Sequence, residues 1–141
     1  MKRPNKPFQE KIIKPWGREI IFTPKELGRT GKILSIRSKK RLSFQYHDNK
    51  EETLCLFSGS VLLWIENDDG KLQKINMEPQ KGYTILPKQK HRLEALEDSI
   101  VLEISSQEKG NTIRLKDDYN RGTETEDERN KPNRNWHGET N

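Results

Sequence analysis

The 141 residues predict an all-β domain, built as a small antiparallel sandwich or barrel. Short runs rich in β-branched, aromatic and leucine residues recur along most of the chain. Turn signals separate them at even spacing. No segment sustains the 3.6-residue apolar period that a long helix requires.

Taken in chain order, residues 1–11 are polar, carry two prolines and read as a flexible arm. The β-type runs follow: REIIFT (18–23), GKILSIR (31–37), RLSFQYH (41–47), TLCLFSG (53–59), VLLWIEN (61–67), KLQKINM (71–77), GYTILP (82–87), HRLEAL (91–96) and SIVLEIS (99–105). Between them FTPKELGRTG, SGS, NDDG, MEPQKG and LPKQK supply turn residues, and TPKELGRTG has room for one helical turn. NDDG, set between two apolar runs, is a good hairpin signal. After Lys116 the apolar content falls, so 117–141 reads as a polar, disordered tail and 12–116 as the folded domain. Trp136 and His137 in that tail read as solvated side chains or as a small docking motif.

Composition agrees with a core smaller than the chain, since 29% of residues are hydrophobic and 35% are charged. The net charge of +5 is unevenly spread: residues 1–116 carry about +8, and the tail, with seven acids and four bases, about −3. A basic body favours anionic partners such as phosphorylated small molecules, nucleic acid or membrane surfaces. The basic run RSKKR (37–41) is short and lacks interleaved aromatics, so nucleic-acid binding is not expected. A single cysteine, Cys55, among apolar neighbours reads as a buried structural thiol. With no signal-like segment and no apolar stretch of about 20 residues, a cytoplasmic protein without a membrane span is expected.

Chemistry concentrates in FQYHDNKEET (44–53), which gathers Gln45, His47, Glu51 and Glu52 in a chain with only three histidines. Alternation along a strand puts Gln45 and His47 on one face, with Phe44 and Tyr46 on the other. A turn after His47 would return Glu52 beside it. His91 then opens a later strand, after Gly82 and Pro87 bracket a short apolar run. These residues read either as strand-end histidines with a charged surface turn or as the donors of a divalent metal site. Two nitrogens, a carboxylate and an amide oxygen suit Zn, Mn, Fe, Co or Ni alike.

The pattern Gln45-x-His47-x4-Glu52-x6-Gly59, followed by Gly82-x4-Pro87-x3-His91, resembles the two motifs of the cupin superfamily, with Gln in place of the first His of many cupins. More narrowly, KPWGRE (14–19), LSFQYH (42–47), EETLCLFSG (51–59), ILPKQKHRLE (85–94) and RLKDDYNRG (114–122) resemble the cupin domain of type II mannose-6-phosphate isomerases, over roughly residues 12–122. The resemblance implies a double-stranded β-helix, a small jelly-roll barrel, often dimeric through sheet packing. It implies that Gln45, His47, Glu52 and His91 hold one divalent metal, and that Glu51 faces away. It further implies a metal-dependent isomerase interconverting mannose 6-phosphate and fructose 6-phosphate.

Within that reading Lys50, Lys90 and Arg92 are candidates to bind the sugar phosphate, and Lys50 and Glu94 to move the proton. Glu94 needs a local twist to reach the face of His91. Lys50 stands where the family carries an arginine, and an ammonium lacks the guanidinium's bidentate fork. That difference keeps open a non-catalytic cupin that binds a sugar phosphate or nucleotide sugar. A metal-dependent oxygenase on the same scaffold would need iron and oxygen. Nothing before Lys14 accommodates a nucleotidyltransferase domain, so guanylyltransferase activity is not expected of these residues.

Overall fold

Strand alternation and tight turns account for nearly all of the architecture. The computed structural model describes residues 5–131. Its strands are β1 (Glu10–Lys14), β2 (Gly17–Ile21), β3 (Arg29–Ile36), β4 (Phe44–His47), β5 (Glu52–Ser58), β6 (Val61–Glu66), β7 (Leu72–Asn76), β8 (Gly82–Ile85), β9 (His91–Ala95), β10 (Ser99–Ser106) and β11 (Thr112–Lys116), followed by one helical turn, α1 (Glu126–Arg129). The nine apolar runs of the sequence become β2 to β10. The polar strands β1 and β11 add to them, and β1 takes residues 10 and 11 out of the expected arm. TPKELGRTG forms a turn without a helix, Leu27 N–H reaching Pro24 O at 3.2 Å.

Two antiparallel sheets face each other, one in the order β1-β2-β3-β10-β5-β8 and the other β11-β4-β9-β6-β7. Turn chemistry sets their register. At NDDG, Asn67 Oδ1 accepts from the backbone N–H groups of Asp69 and Lys71, both at 2.9 Å, and Gly70 takes φ +76°. In KPWG, Trp16 is buried, Trp16 O accepts from Arg37 N at 2.9 Å, and Gly17 sits at φ +150° against the carbonyl of Ser35. Only a residue without Cβ fits there.

The inward-facing side chains change character at one level across the barrel. Along β3 they run Ile36, Leu34, then Lys32; along β5 Leu56, Leu54, then Glu52; along β9 Ala95, Leu93, then His91; along β10 Val101, then Glu103. Cross-strand pairing aligns these steps, Val101 opposite Leu34 and Leu56, and Glu103 opposite Lys32. One half of the interior is therefore a hydrophobic core, closed by Trp16, Met77 and Ile85. Each fully buried Leu or Ile in it contributes roughly 1.5–3 kcal/mol. The other half is filled with charge.

The outer face of the six-stranded sheet is apolar. Ile20, Ile33, Leu102 and Cys55 are partners in register across β2, β3, β10 and β5, and Phe57 and Ile104 beside them are 60% and 64% exposed. Cys55 thus lies half-buried on this face and not in the core, because its parity is opposite to that of Leu54 and Leu56.

Beyond the expected boundary at residue 116, the described residues 117–131 make ordered contacts with the barrel. Arg121 is 8% exposed and pairs with Asp117 through Nε at 2.9 Å and Nη2 at 3.0 Å. Asp118 receives both Arg41 nitrogens at 2.7 Å, Tyr119 Oη donates to Arg41 O at 3.0 Å, and Glu124 bridges Thr112. Polar composition suggested disorder, but Asp118 meets Arg41 on the barrel, and Asp117 and Arg121 meet each other. Trp136 and His137 lie outside the described residues.

Gly17→Ala would force a Cβ into the Ser35 carbonyl at a backbone angle that L-residues rarely adopt. We expect a loss of about 2 kcal/mol or more, read from the urea midpoint at unchanged m-value, with the same β-type circular dichroism at low urea.

Candidate metal centre

The polar half of the barrel brings three chelating side chains together from both sheets. His47 ends β4 and His91 begins β9, with Gln45 directly opposite His91 in register. Glu52 begins β5 in the facing sheet. Glu52 Oε1 lies 3.1 Å from His91 Nε2 and 3.6 Å from His47 Nε2, and all three donor atoms fall within 4.8 Å of one another. Ligands about 2.0–2.3 Å from a shared ion stand at about these separations. All three residues are buried.

The tautomers fit metal binding. His91 Nδ1 is 2.9 Å from Gln89 O, a carbonyl that only accepts, so Nδ1 carries the proton. In the neutral ring Nε2 then points its lone pair at the Glu52 carboxylate, and among the described residues this buried atom has no hydrogen-bond partner. Two facing lone-pair donors repel unless a cation lies between them. His47 Nδ1 is held by Thr112 Oγ1 at 3.0 Å, which leaves its Nε2 for the cluster. Anchoring the outer nitrogen of each ring is how metal-ligating histidines are usually oriented. Gln45 places its amide Nε2 3.5 Å from His47 Nε2 while Oε1 accepts from Ser43 Oγ at 2.6 Å. A hydroxyl donates or accepts, so Ser43 is compatible with either end of the amide facing the histidines.

Electrostatics favour the deprotonated ligands. Burial, reinforced by the Lys50 ammonium, lowers the His47 pKa to about 4. Burial alone would raise that of Glu52, but the Lys50 ammonium beside it holds it well below the ordinary carboxylate range. Burial and the Glu52 charge push Glu103 up to about 7. Burial works against the charged form of Lys50, yet Glu103, Glu52 and Glu108 outweigh it and raise its pKa.

Behind the ligands runs one connected network of five acids and five bases. Lys50 Nζ lies 3.3 Å from both Glu52 Oε2 and Glu103 Oε2, and Lys32 Nζ reaches Glu19 at 3.4 Å and Glu108. Arg129 Nε joins Glu108 at 2.9 Å to Glu124 at 3.4 Å, and Glu124 also meets Arg114 at 3.8 Å and Lys14 at 3.9 Å. The cavity between these groups and the ligands is about 70 Å³, room for roughly two waters.

Not every expected site residue arrives here. Lys50 does, but as an internal counter-ion and not as an open phosphate-binding lysine, because three carboxylates surround it. Glu94 takes the opposite parity to His91 and stays out of the cavity lining, whereas Arg92, buried beside His91, does line it. Glu94 Oε1 accepts from Trp64 Nε1 at 2.9 Å, and Arg92 donates to Leu42 O at 3.0 Å with its guanidinium 5.4 Å over the Trp64 ring. The twist that would bring Glu94 to the ligands does not occur. Lys90 is exposed and outside the cavity lining. Glu51 is exposed, as expected from its spacing. Sequence reasoning missed Glu103, Lys32, Glu19 and Glu108. The available signal for the first two was parity, since each stands two residues from a core position on its strand.

The architecture matches many solved structures. At a TM-score of 0.61 and 14% identity, 72% of the chain superposes on 89% of KdgF from Halomonas sp.. For Bacillus subtilis oxalate decarboxylase at pH 4.6 the TM-score is 0.67 at 14% identity, covering 82% of this chain and 33% of that one. For the capsular polysaccharide assembling protein CapF from Staphylococcus aureus it is 0.60 at 13% identity, covering 82% and 31%. The chain has the cupin fold. It spans about a third of the oxalate decarboxylase and CapF chains. No protein-family model and no curated protein matches it. The buried His47, Glu52 and His91 are consistent with one divalent metal ion.

Titration calorimetry of chelator-stripped protein with Mn or Zn should give one ion per chain, and none in His91→Ala or Glu52→Gln. The His47 pKa, near 4 when folded against about 6.5 unfolded, means that the unfolded state binds the extra proton first as pH falls. His47 therefore contributes stability above pH 6.5 that is lost on descending to pH 4, up to about 3 kcal/mol. Glu103, with its raised pKa, has the opposite slope between about 4.5 and 7. The readout is thus the difference in metal-free unfolding free energy between the wild type and His47→Gln, which should shrink across that window.

Proposed function

We propose that the protein is a metal-dependent aldose–ketose isomerase acting on a sugar phosphate of the mannose 6-phosphate/fructose 6-phosphate type. One observation carries this reading: a metal-ready ligand set shares its cavity with Glu103, a buried carboxyl with a pKa of about 7. The motif resemblance in KPWGRE, LSFQYH and ILPKQKHRLE supplies the substrate class. A similar cupin, B. subtilis oxalate decarboxylase, has Mn(II) centres, which supports a metal of that kind here.

Isomerisation moves a proton between adjacent carbons and needs a group that takes it up and returns it. A pKa near 7 leaves Glu103 about half protonated at neutral pH, close to the optimum for both tasks. Glu103 replaces Glu94 in this role. Lys50 lies between Glu103 and Glu52 and keeps Glu52 anionic for the metal. His47, His91, Glu52 and Gln45 would hold the ion, which when bound polarises the substrate carbonyl as a Lewis acid.

A second reading, a non-catalytic cupin binding a sugar phosphate or nucleotide sugar, is favoured by the commitment of Lys50 to carboxylates and by a cavity too small for a hexose phosphate as it stands. In both readings the apolar row Ile20, Ile33, Leu102 and Cys55 is proposed to pair with its counterpart in a second chain.

Mannose 6-phosphate conversion, followed by ³¹P NMR with Mn-, Zn-, Co-, Ni- or Fe-loaded protein, tests the first reading. We expect turnover that Glu103→Gln lowers by about 10²- to 10⁴-fold while one ion per chain remains bound. Binding without turnover under every metal would favour the second. Sedimentation should give a dimer that Leu102→Lys converts to a monomer.

A further inference from the structure

Three cations from three parts of the chain converge on the carboxylate of Glu108. Lys32 Nζ, from β3, makes its tightest contact with Glu108 Oε1, and Lys50 Nζ, from the β4–β5 turn, lies 3.9 Å from the same oxygen. Arg129 Nε, from α1, is 2.9 Å from Oε2. Lys32 and Lys50 are 3% and 7% exposed. This is the arrangement of an oxyanion site, filled by the chain's own side chain.

The position of Glu108 gives it a second property. It belongs to the β10–β11 connection, outside any strand, and is held there from α1: Gly110 N donates to Glu126 Oε1 at 2.6 Å, and Arg129 Nη2 donates to Gly110 O at 3.0 Å. Glu108 and Arg129 line the small cavity beside the metal ligands and also a surface groove of about 580 Å³ on their other side. Phe8, Ile12, Ile21 and Pro24 make that groove partly apolar, and Lys11 and Lys25 make it basic. The Glu108–Arg129 pair is the wall between the two spaces.

We propose that Glu108 is a displaceable internal ligand standing in for the phosphoryl group of the substrate, which binds Lys32, Lys50 and Arg129 once Glu108 swings out and opens the cavity to the groove. Charge matching supports this assignment. Among the described residues the ion pairs named above join five acids to five bases with Glu108 in place, and a divalent ion held by His47, Glu52 and His91 would add positive charge beside them. A phosphoryl dianion replacing one carboxylate reduces that added charge, whereas an incoming monoanion does not. The proposal deepens the sugar-phosphate reading and rests on it for the substrate class.

The test uses the full-length, Mn-loaded protein and inorganic phosphate, with acetate as the monoanionic control. Calorimetry should show Glu108→Gln binding phosphate at least tenfold more tightly than the wild type, and Glu108→Gln/Arg129→Met losing that gain. Acetate should show no such difference. If Glu108→Gln is poorly folded for want of its charge, phosphate should raise its melting temperature saturably and the wild type's hardly at all. Glu108→Asp, which retains the charge with less reach, should lie between them. Equal phosphate affinity in wild type and Glu108→Gln, a gain that survives loss of Arg129, or a gain with acetate alone would overturn the proposal. Tighter phosphate binding without mannose 6-phosphate turnover would leave the subsite standing and remove the isomerase. Turnover with phosphate affinity indifferent to Glu108 would do the reverse.

Discussion

Burying charge is tolerated only when each charge is matched, and the polar half of this barrel is governed by that constraint. Lys32, Glu52 and Glu103 face inward from adjoining strands, and Lys50 from the β4–β5 turn, where a barrel of this size would otherwise place aliphatic side chains. Removing any one of them unbalances the cluster, and breaking a buried ion pair typically costs about 3–5 kcal/mol. The network in turn depends on residues far along the chain, because Glu124 and Arg129 complete it from beyond the last strand. The C-terminal segment is therefore part of the barrel's electrostatics and not an appendage.

The same matching prepares the metal ligands. Glu52 divides its carboxylate, one oxygen toward the two histidines and the other toward Lys50. Lys50 keeps the carboxylate ionised and, by its charge, helps keep His47 neutral, so one ammonium secures both protonation states that a metal needs. An arginine in its place would be bulkier and would present a planar fork to two carboxylates that approach from different strands. With Glu108 in place, the lysine that looked like a weakened substrate contact is the centre of the ion-pair cluster.

The apolar half of the fold was legible because it follows period-two alternation: every run from REIIFT to SIVLEIS is a strand, and NDDG turns as its residues require. The ligands were legible through spacing. What escaped was charge at core parity. Glu103 in SIVLEIS and Lys32 in GKILSIR look like surface residues in isolation, and only the pairing of β3 with β10 puts them side by side. The contacts of residues 117–131 were not legible for a related reason. DDYNRG is polar enough to be disordered, but its charges are complementary to Arg41 and to one another, and composition does not record which charge meets which. Glu94 was attractive for its closeness to His91 in sequence, but a strand places residues three apart on opposite faces.

The central claim is that His47, Glu52 and His91, drawn from two sheets, enclose one divalent ion. An anomalous difference map from a crystal of Mn-loaded protein tests it directly. The account predicts a single strong peak about 2.0–2.3 Å from His47 Nε2, His91 Nε2 and a Glu52 oxygen, with Glu52 still in contact with Lys50. A map with no peak there, and with the two imidazoles and Glu52 joined by protons alone, would contradict it.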